Sequence, residues 1–216
     1  MNTEIAREKM IEQQVRAWDV FDPDVLGVLA EIPRERFVPR EYRALAFSDT
    51  SIPIGCGQFM MTPTLEGRAL QSLELDGGEK ILEIGTGSGF LTACLAKLGA
   101  HVTSIEIFAE LSRRARARLD DAGIENVDLQ CLDATAQLPP GRFDAVVVTG
   151  SIHRFDPRYG DVLAADGRLF VVVGDPPAMD ALSVHRTGEG EWARESLFET
   201  VLPPLVNAGP PPQFSF

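Results

Sequence analysis

Cysteine is scarce and poorly spaced for any structural use. Cys56, Cys94 and Cys131 are the only three in 216 residues, with no C-x-x-C pair and no histidine at metal-ligand spacing. Neither a disulfide framework nor a metal site is expected, and the thiols read as reduced. Long apolar runs are missing too: no stretch approaches the length of a membrane span. Met1 to Met10 mixes charges of both signs without an apolar centre, which argues against a secretory signal. Basic residues are outnumbered, giving a formal net charge of −12 and a pI of about 4.7. Such a surface repels nucleic acid phosphates and anionic membrane faces. The one basic run, Arg113, Arg114, Arg116 and Arg118, reads as the solvated face of a helix. A cytoplasmic protein that binds neither nucleic acid nor membrane is expected. No internal repeat is visible.

What is present is enough apolar content, 44% of 216 residues, for one substantial core. A single domain with three regions is predicted: an N-terminal helical cap over 1–63, a cofactor-binding core over 64–174, and C-terminal strands with a proline-rich tail over 175–216. In the first, Ile5, Met10, Ile11 and Val15 lie near helical spacing, and Asp22-Pro23 supplies an N-cap with proline at the first helical position. Pro33, Pro39, Pro53 and Pro63 then divide the chain into short pieces that suit a cap better than a sheet.

The second region alternates strands with helices. Strands are predicted at Lys80–Ile84, Val102–Ile105, Val127–Cys131, Phe143–Thr149 and Leu169–Gly174, with helices at Leu91–Leu98 and Phe108–Leu119. That order implies an α/β, Rossmann-like fold: a mostly parallel sheet with helices on both faces and right-handed crossovers. Ligands of such sheets sit beyond the carboxyl ends of the strands. In the third region, strands are expected near Leu182–Arg186 and Glu195–Val201; the tail, with Pro203, Pro204, Pro210, Pro211 and Pro212 before Phe214-Ser215-Phe216, reads as extended.

The strongest chemical signal is Leu82-Glu83-Ile84-Gly85-Thr86-Gly87-Ser88-Gly89-Phe90, which leaves the first core strand and opens a helix. Glycines there allow a tight turn and a close approach of ligand to backbone. Glu106 ends the next strand, where a carboxylate can accept both hydroxyls of a ribose, and Asp133 with Ala134 follows the third, suited to an adenine edge. A dinucleotide is the natural rival. The glycine spacing is not G-x-G-x-x-G, however, and Glu83 would oppose a pyrophosphate while favouring the ammonium and sulfonium of S-adenosylmethionine (SAM). The expected cofactor is therefore SAM, held by Glu83, Gly85, Thr86, Gly87, Ser88, Gly89, Glu106, Ile107, Asp133, Ala134 and Thr149.

Together with Ile32-Pro33-Arg34-Glu35-Arg36-Phe37-Val38-Pro39, Ile52-Pro53-Ile54-Gly55-Cys56-Gly57-Gln58, Ser104-Ile105-Glu106 and Phe143-Asp144-Ala145-Val146-Val147-Val148-Thr149, this loop resembles the protein-L-isoaspartate O-methyltransferase family, a branch of the class I methyltransferases. The resemblance implies a cytoplasmic repair enzyme that methylates the α-carboxylate of isoaspartyl residues in proteins or peptides, giving an ester that closes to a succinimide. Members typically read Gly-Gln-Thr-Ile-Ser-Gln-Pro where this chain reads Gly57-Gln58-Phe59-Met60-Met61-Thr62-Pro63, so Met61 stands at the serine place with Thr62 beside it.

Gln58, Met61 and Thr62 are accordingly the expected catalytic segment, and Pro53, Ile54, Phe59, Met60 and His153 the expected acceptor contacts. His153 is the base candidate for a phenol or amine acceptor. Cys56 reads as a small apolar filler. Two alternatives stand beside isoaspartyl methylation: a methyltransferase for a different, small or apolar, acceptor, suggested by Phe59-Met60-Met61, and a SAM-binding protein without transferase activity.

Overall fold

The computed structural model describes residues 3–188 and 190–209, so the tail prolines from Pro210 onward and Phe214-Ser215-Phe216 lie outside the described residues. Helix α1 (Thr3–Met10) runs on through a π turn and a 3-10 turn to Trp18 and is followed by α2 (Pro23–Glu31) and α3 (Arg34–Phe37). Of the predicted apolar stripe, Met10, Ile11 and Val15 are buried while Ile5 is half exposed. The Asp22 cap forms as expected, its carboxylate accepting from the Asp24 and Val25 amides with Pro23 at the first turn.

The next segment departs from the all-helical expectation. Ile52–Gly55 (β1) and Gln58–Met60 (β2) form a small antiparallel hairpin before α4 (Pro63–Ser72). Its turn holds Cys56 at φ +53° and Gly57 at φ +71°. The proline at 53 is tolerated because a two-stranded ribbon leaves it an unpaired edge.

The core then alternates β3 (Lys80–Ile84), α5 (Phe90–Leu98), β4 (His101–Glu106), α6 (Ala109–Asp121), β5 (Val127–Cys131), β6 (Phe143–Ile152), α7 (Pro157–Asp161), β7 (Leu163–Asp175), β8 (Ala178–Gly188) and β9 (Glu191–Thr200). Seven strands form one sheet in the order β5-β4-β3-β6-β7-β8-β9. The first five are mutually parallel, while β8 and β9 add an antiparallel edge. The predicted α/β sheet is thus observed. β3 lies between β4 and β6, so the chain reverses direction across the sheet there and opens a crevice at the carboxyl ends of β3 and β6.

Alternation along the strands sorts side chains onto two faces. Ile81, Val102, Ala145, Val147, Phe170 and Val172 join α1, α2, α4, α5 and α6 in one apolar cluster. Leu82, Ile84, Val146, Val148 and Val171 form a second with Tyr159 of α7. The first cluster runs from Met10 to Leu202, so the N-terminal region shares the core of the sheet instead of resting on a finished one. Leu202 to Leu205 continue past β9 as an extended segment, paired to β6 at Ser151–Pro204, before a turn at Val206-Asn207.

Candidate cofactor and acceptor site

At the end of β3 the backbone turns through Gly85 (φ +98°), Gly87 (φ +53°) and Gly89 (φ +84°) before α5 begins. Gly85 and Thr86 donate their amides to the Ile105 carbonyl at 2.8 and 3.2 Å. The Thr149 hydroxyl lies 3.0 and 2.7 Å from the Ile84 and Gly85 carbonyls. A Cβ at position 85 would collide with that hydroxyl and force it to move, so glycine is favoured here by space as well as by φ. The Ser88 carbonyl accepts from Arg118 of α6 at 3.0 Å, fixing the far side of the loop.

The three strand-end carboxylates occupy different environments. Glu83 is fully buried; one oxygen accepts from the Thr92 and Ser104 hydroxyls at 2.5 and 2.6 Å, and the other, Oε1, has no partner among the described residues. Burial pushes its carboxyl up to about 8 against the pull of those two hydroxyls. Glu106, also buried, accepts from the Gly87 amide at 2.9 Å and the Phe108 amide at 3.0 Å. These bonds leave lone pairs on both oxygens. Asp133 accepts the Thr135 hydroxyl at 2.7 Å and amide at 2.8 Å, and the Asn207 amide at 2.8 Å. Those bonds, Thr135 first, hold its carboxyl below the usual range.

The three carboxylates border a cleft made of two adjoining pockets. Its larger part, about 700 Å³, is lined by Gly85, Gly87, Glu106, Ile107, Asp133, Ala134 and Thr149, with Ile54, Gln58 and Phe59 from the hairpin. A smaller part, about 320 Å³, is lined by Glu83, Thr86, Gly87 and Ser88 together with Met60, Met61 and Glu66. Ile54, Phe59, Gly85, Gly87 and Thr149 face both parts.

Several predicted site residues stand elsewhere. The Thr62 hydroxyl caps α4 by accepting from the Leu65 amide and meets Thr64 at 3.0 Å, so it faces the helix and not the cleft. Pro53 and Gly89 line neither part; Gly89 instead lets α5 approach Ala115 of α6. His153 points away, its Nδ1 2.6 Å from Asp175. Cys56 sits exposed at the hairpin tip and is no core filler. The arginine run is also more than a solvated face: Arg114, Arg116 and Arg118 reach the carbonyls of Ile54, Val127 and Ser88.

Other participants went unread in the sequence. Leu202, Pro203, Pro204, Leu205 and Val206 roof the larger cleft, clamped by Ser151, which donates its amide to the Pro203 carbonyl and accepts from the Leu205 amide, both at 2.9 Å. Pro203-Pro204 was the only local sign of them. Among the described residues no group of His, Cys, Asp and Glu could hold a metal, and no helix is long and apolar enough to cross a membrane.

A family model for protein-L-isoaspartate(D-aspartate) O-methyltransferases matches residues 5–209. A Rhodopseudomonas palustris protein named protein-L-isoaspartate O-methyltransferase 1 is 38% identical over 202 residues, covering 93% of this chain and 82% of its own. A Syntrophotalea carbinolica protein-L-isoaspartate O-methyltransferase is 38% identical over 207 residues, covering 95% of each. A Plasmodium falciparum crystal structure, described as a protein-L-isoaspartate O-methyltransferase in complex with S-adenosyl-L-homocysteine, superposes with a TM-score of 0.80 at 20% identity, covering 95% of this chain and 98% of its own. That last likeness is one of fold.

Proposed function

The chain belongs to the protein-L-isoaspartate(D-aspartate) O-methyltransferase family, and from that premise we propose that it methylates the free carboxylate of isoaspartyl residues in peptides or proteins, with SAM as methyl donor. The observation that carries this reading is that Glu106 and Asp133 line one pocket and Glu83 the pocket adjoining it, all three from successive strand ends around the Gly loop that both pockets share.

The residues fit the cofactor. The partnerless Glu83 Oε1 suits a cationic amino group, the spare lone pairs of Glu106 suit a ribose, and Asp133 beside Ala134 suits an adenine edge. When bound, SAM supplies an electrophilic methyl on a sulfonium. The chain's part is to hold an acceptor carboxylate in line with it and to exclude water, since a carboxylate with an ordinary pKa of about 4 is ionised at neutral pH and needs no base. Phe59, Met60 and Met61 supply an apolar wall for that purpose, and Gln58 brings an amide to the same rim. The absence of His153 from the cleft agrees with chemistry that needs no imidazole.

The apolar wall also favours a second reading, a small apolar acid as acceptor, because the family's serine hydroxyl has no counterpart facing the cleft. Labelled methyl transfer to an isoaspartyl peptide, its normal aspartyl twin and a panel of small carboxylic acids tests both. Label confined to the isoaspartyl peptide supports the main reading, label confined to small acids supports the second, and label in none overturns both. The three free thiols, two of them exposed, fit a reducing compartment, and we place the protein in the cytoplasm. The net charge of −12 weighs against a nucleic acid acceptor.

A further inference from the structure

One buried acid faces the cleft without coming from a strand end. Glu66 of α4 is 2% exposed and lines the smaller part of the cleft together with the Gly loop. Its partner is Arg34, fully buried, whose Nη1 meets Glu66 Oε2 while Nε and Nη2 donate to the carbonyls of Ala46 and Met61 at 2.9 and 2.8 Å. The guanidinium also lies over the Phe90 ring, 4.8 Å from its centroid, at the start of α5. Arg34 thus ties the acceptor segment to α4 and α5, and fixes the carboxylate of Glu66 where it borders the cavity.

Counting charge around this small space gives two buried carboxylates, Glu66 and Glu83, against one buried guanidinium. With both acids ionised one negative charge is left for a cationic ligand to pair, and Glu83 Oε1 is a fully buried oxygen with no partner among the described residues. Buried charges are found paired, so the space calls for a cation. Burial raises both carboxyls, Glu66 against the pull of Arg34, so a cation entering this space stabilises their ionised forms.

We propose that Glu66, positioned by Arg34, is a second carboxylate for the α-ammonium group of the cofactor, holding it against Glu83 across the smaller part of the cleft. The proposal rests on the cofactor reading above. It makes the acceptor segment and the cofactor's amino acid end share one ion pair, because the guanidinium that orients Glu66 also holds the Met61 carbonyl.

Calorimetric binding of S-adenosylhomocysteine and of its deaminated analogue, in which hydrogen replaces the α-amino group, tests it. The wild type should bind the parent at least about tenfold more tightly than the analogue. Glu66→Gln should weaken the parent about tenfold and leave the analogue within about twofold, while Glu66→Asp, which keeps the charge, should recover part of the difference. A merely structural role would weaken both ligands alike, and that result overturns the proposal, as does an unchanged affinity for both. If Glu66→Gln does not fold, the double variant Arg34→Met with Glu66→Met removes the same carboxylate without stranding its partner, and the same comparison decides. If no variant folds, a wild-type preference for the parent under about threefold overturns it. A wild type that binds neither ligand would instead sink the cofactor reading itself.

Discussion

Glu83→Gln should change its effect on stability with pH. In the folded, cofactor-free protein the Glu83 carboxyl keeps its proton up to about 8, against an ordinary value near 4.5. Between those values the native state binds more protons than the unfolded chain, so stability is complete below the lower value and is lost as pH rises through the upper one. The steepest loss is about 1.4 kcal/mol per pH unit. A chain of this size moves its Tm by about 2–4 °C per kcal/mol, so two units inside the window correspond to roughly 5–10 °C. Gln cannot ionise, and its carbonyl can still accept from Thr92 and Ser104, which now bond Oε2. Near pH 5 the variant should therefore melt close to the wild type, and by pH 8.5 it should melt higher. Groups that titrate elsewhere cancel in the difference, leaving only Glu66 and Glu106, whose charges also raise Glu83. Melting followed by circular dichroism at half-unit steps from pH 5 to 8.5, without cofactor, gives the two curves. Parallel curves would refute the reasoning, because they would mean that Glu83 ionises equally easily folded and unfolded. Cofactor affinity should move the other way, falling in the variant.

Glu106→Ala and Asp133→Ala should each weaken SAM about ten- to a hundredfold by calorimetry, since each removes bonds to a charged acceptor; Glu106→Ala should also lower Tm, because it strands the Gly87 and Phe108 amides. Met61→Ser should raise methylation of an isoaspartyl peptide about tenfold while lowering stability by about 2–4 kcal/mol, since it puts a hydroxyl in the cleft and empties a buried site. Thr62→Ala should cost about 1 kcal/mol of stability with methylation rates unchanged, and a collapse of kcat would show that its hydroxyl does more than cap α4. Gly85→Ala should lower Tm by roughly 5–10 °C, because the new Cβ displaces the Thr149 hydroxyl from the loop carbonyls.

The parts that the sequence displays are those set by local pattern. β3 and β5 begin and end at the residues expected from the sequence, and Glu83, Glu106 and Asp133 stand at consecutive strand ends because each strand there is short and directly followed by its turn. β6 and β7 run longer than predicted, through Gly150-Ser151-Ile152 and from Leu163, where turn-like residues are drawn into the ladder by their neighbours. The β1–β2 hairpin is hidden in the sequence because prolines and glycines argue locally for breaks, while the strands pair with each other and Arg114 of α6 donates to the Ile54 carbonyl, contacts between distant residues. Thr62 and His153 illustrate the converse. Their residue types suit catalysis, but a helix start and a nearby Asp175 claim them first, and neither competition is visible one residue at a time. Glu66 carried no signal at all, since a glutamate in a helix is ordinarily at the surface.

The roof over the larger cleft has a thermodynamic consequence. Closing a flexible segment over a ligand charges the binding equilibrium for every rotation that is frozen, about 1–2 kcal/mol per residue of backbone. Here the segment begins Leu202-Pro203-Pro204, and two of its backbone φ angles are fixed by their own rings before anything binds. Ser151 and Asn207 then hold it at either end with bonds made inside the protein. The freedom that a lid would surrender on each binding event is surrendered here once, during folding, and the ligand meets a wall that is already in place.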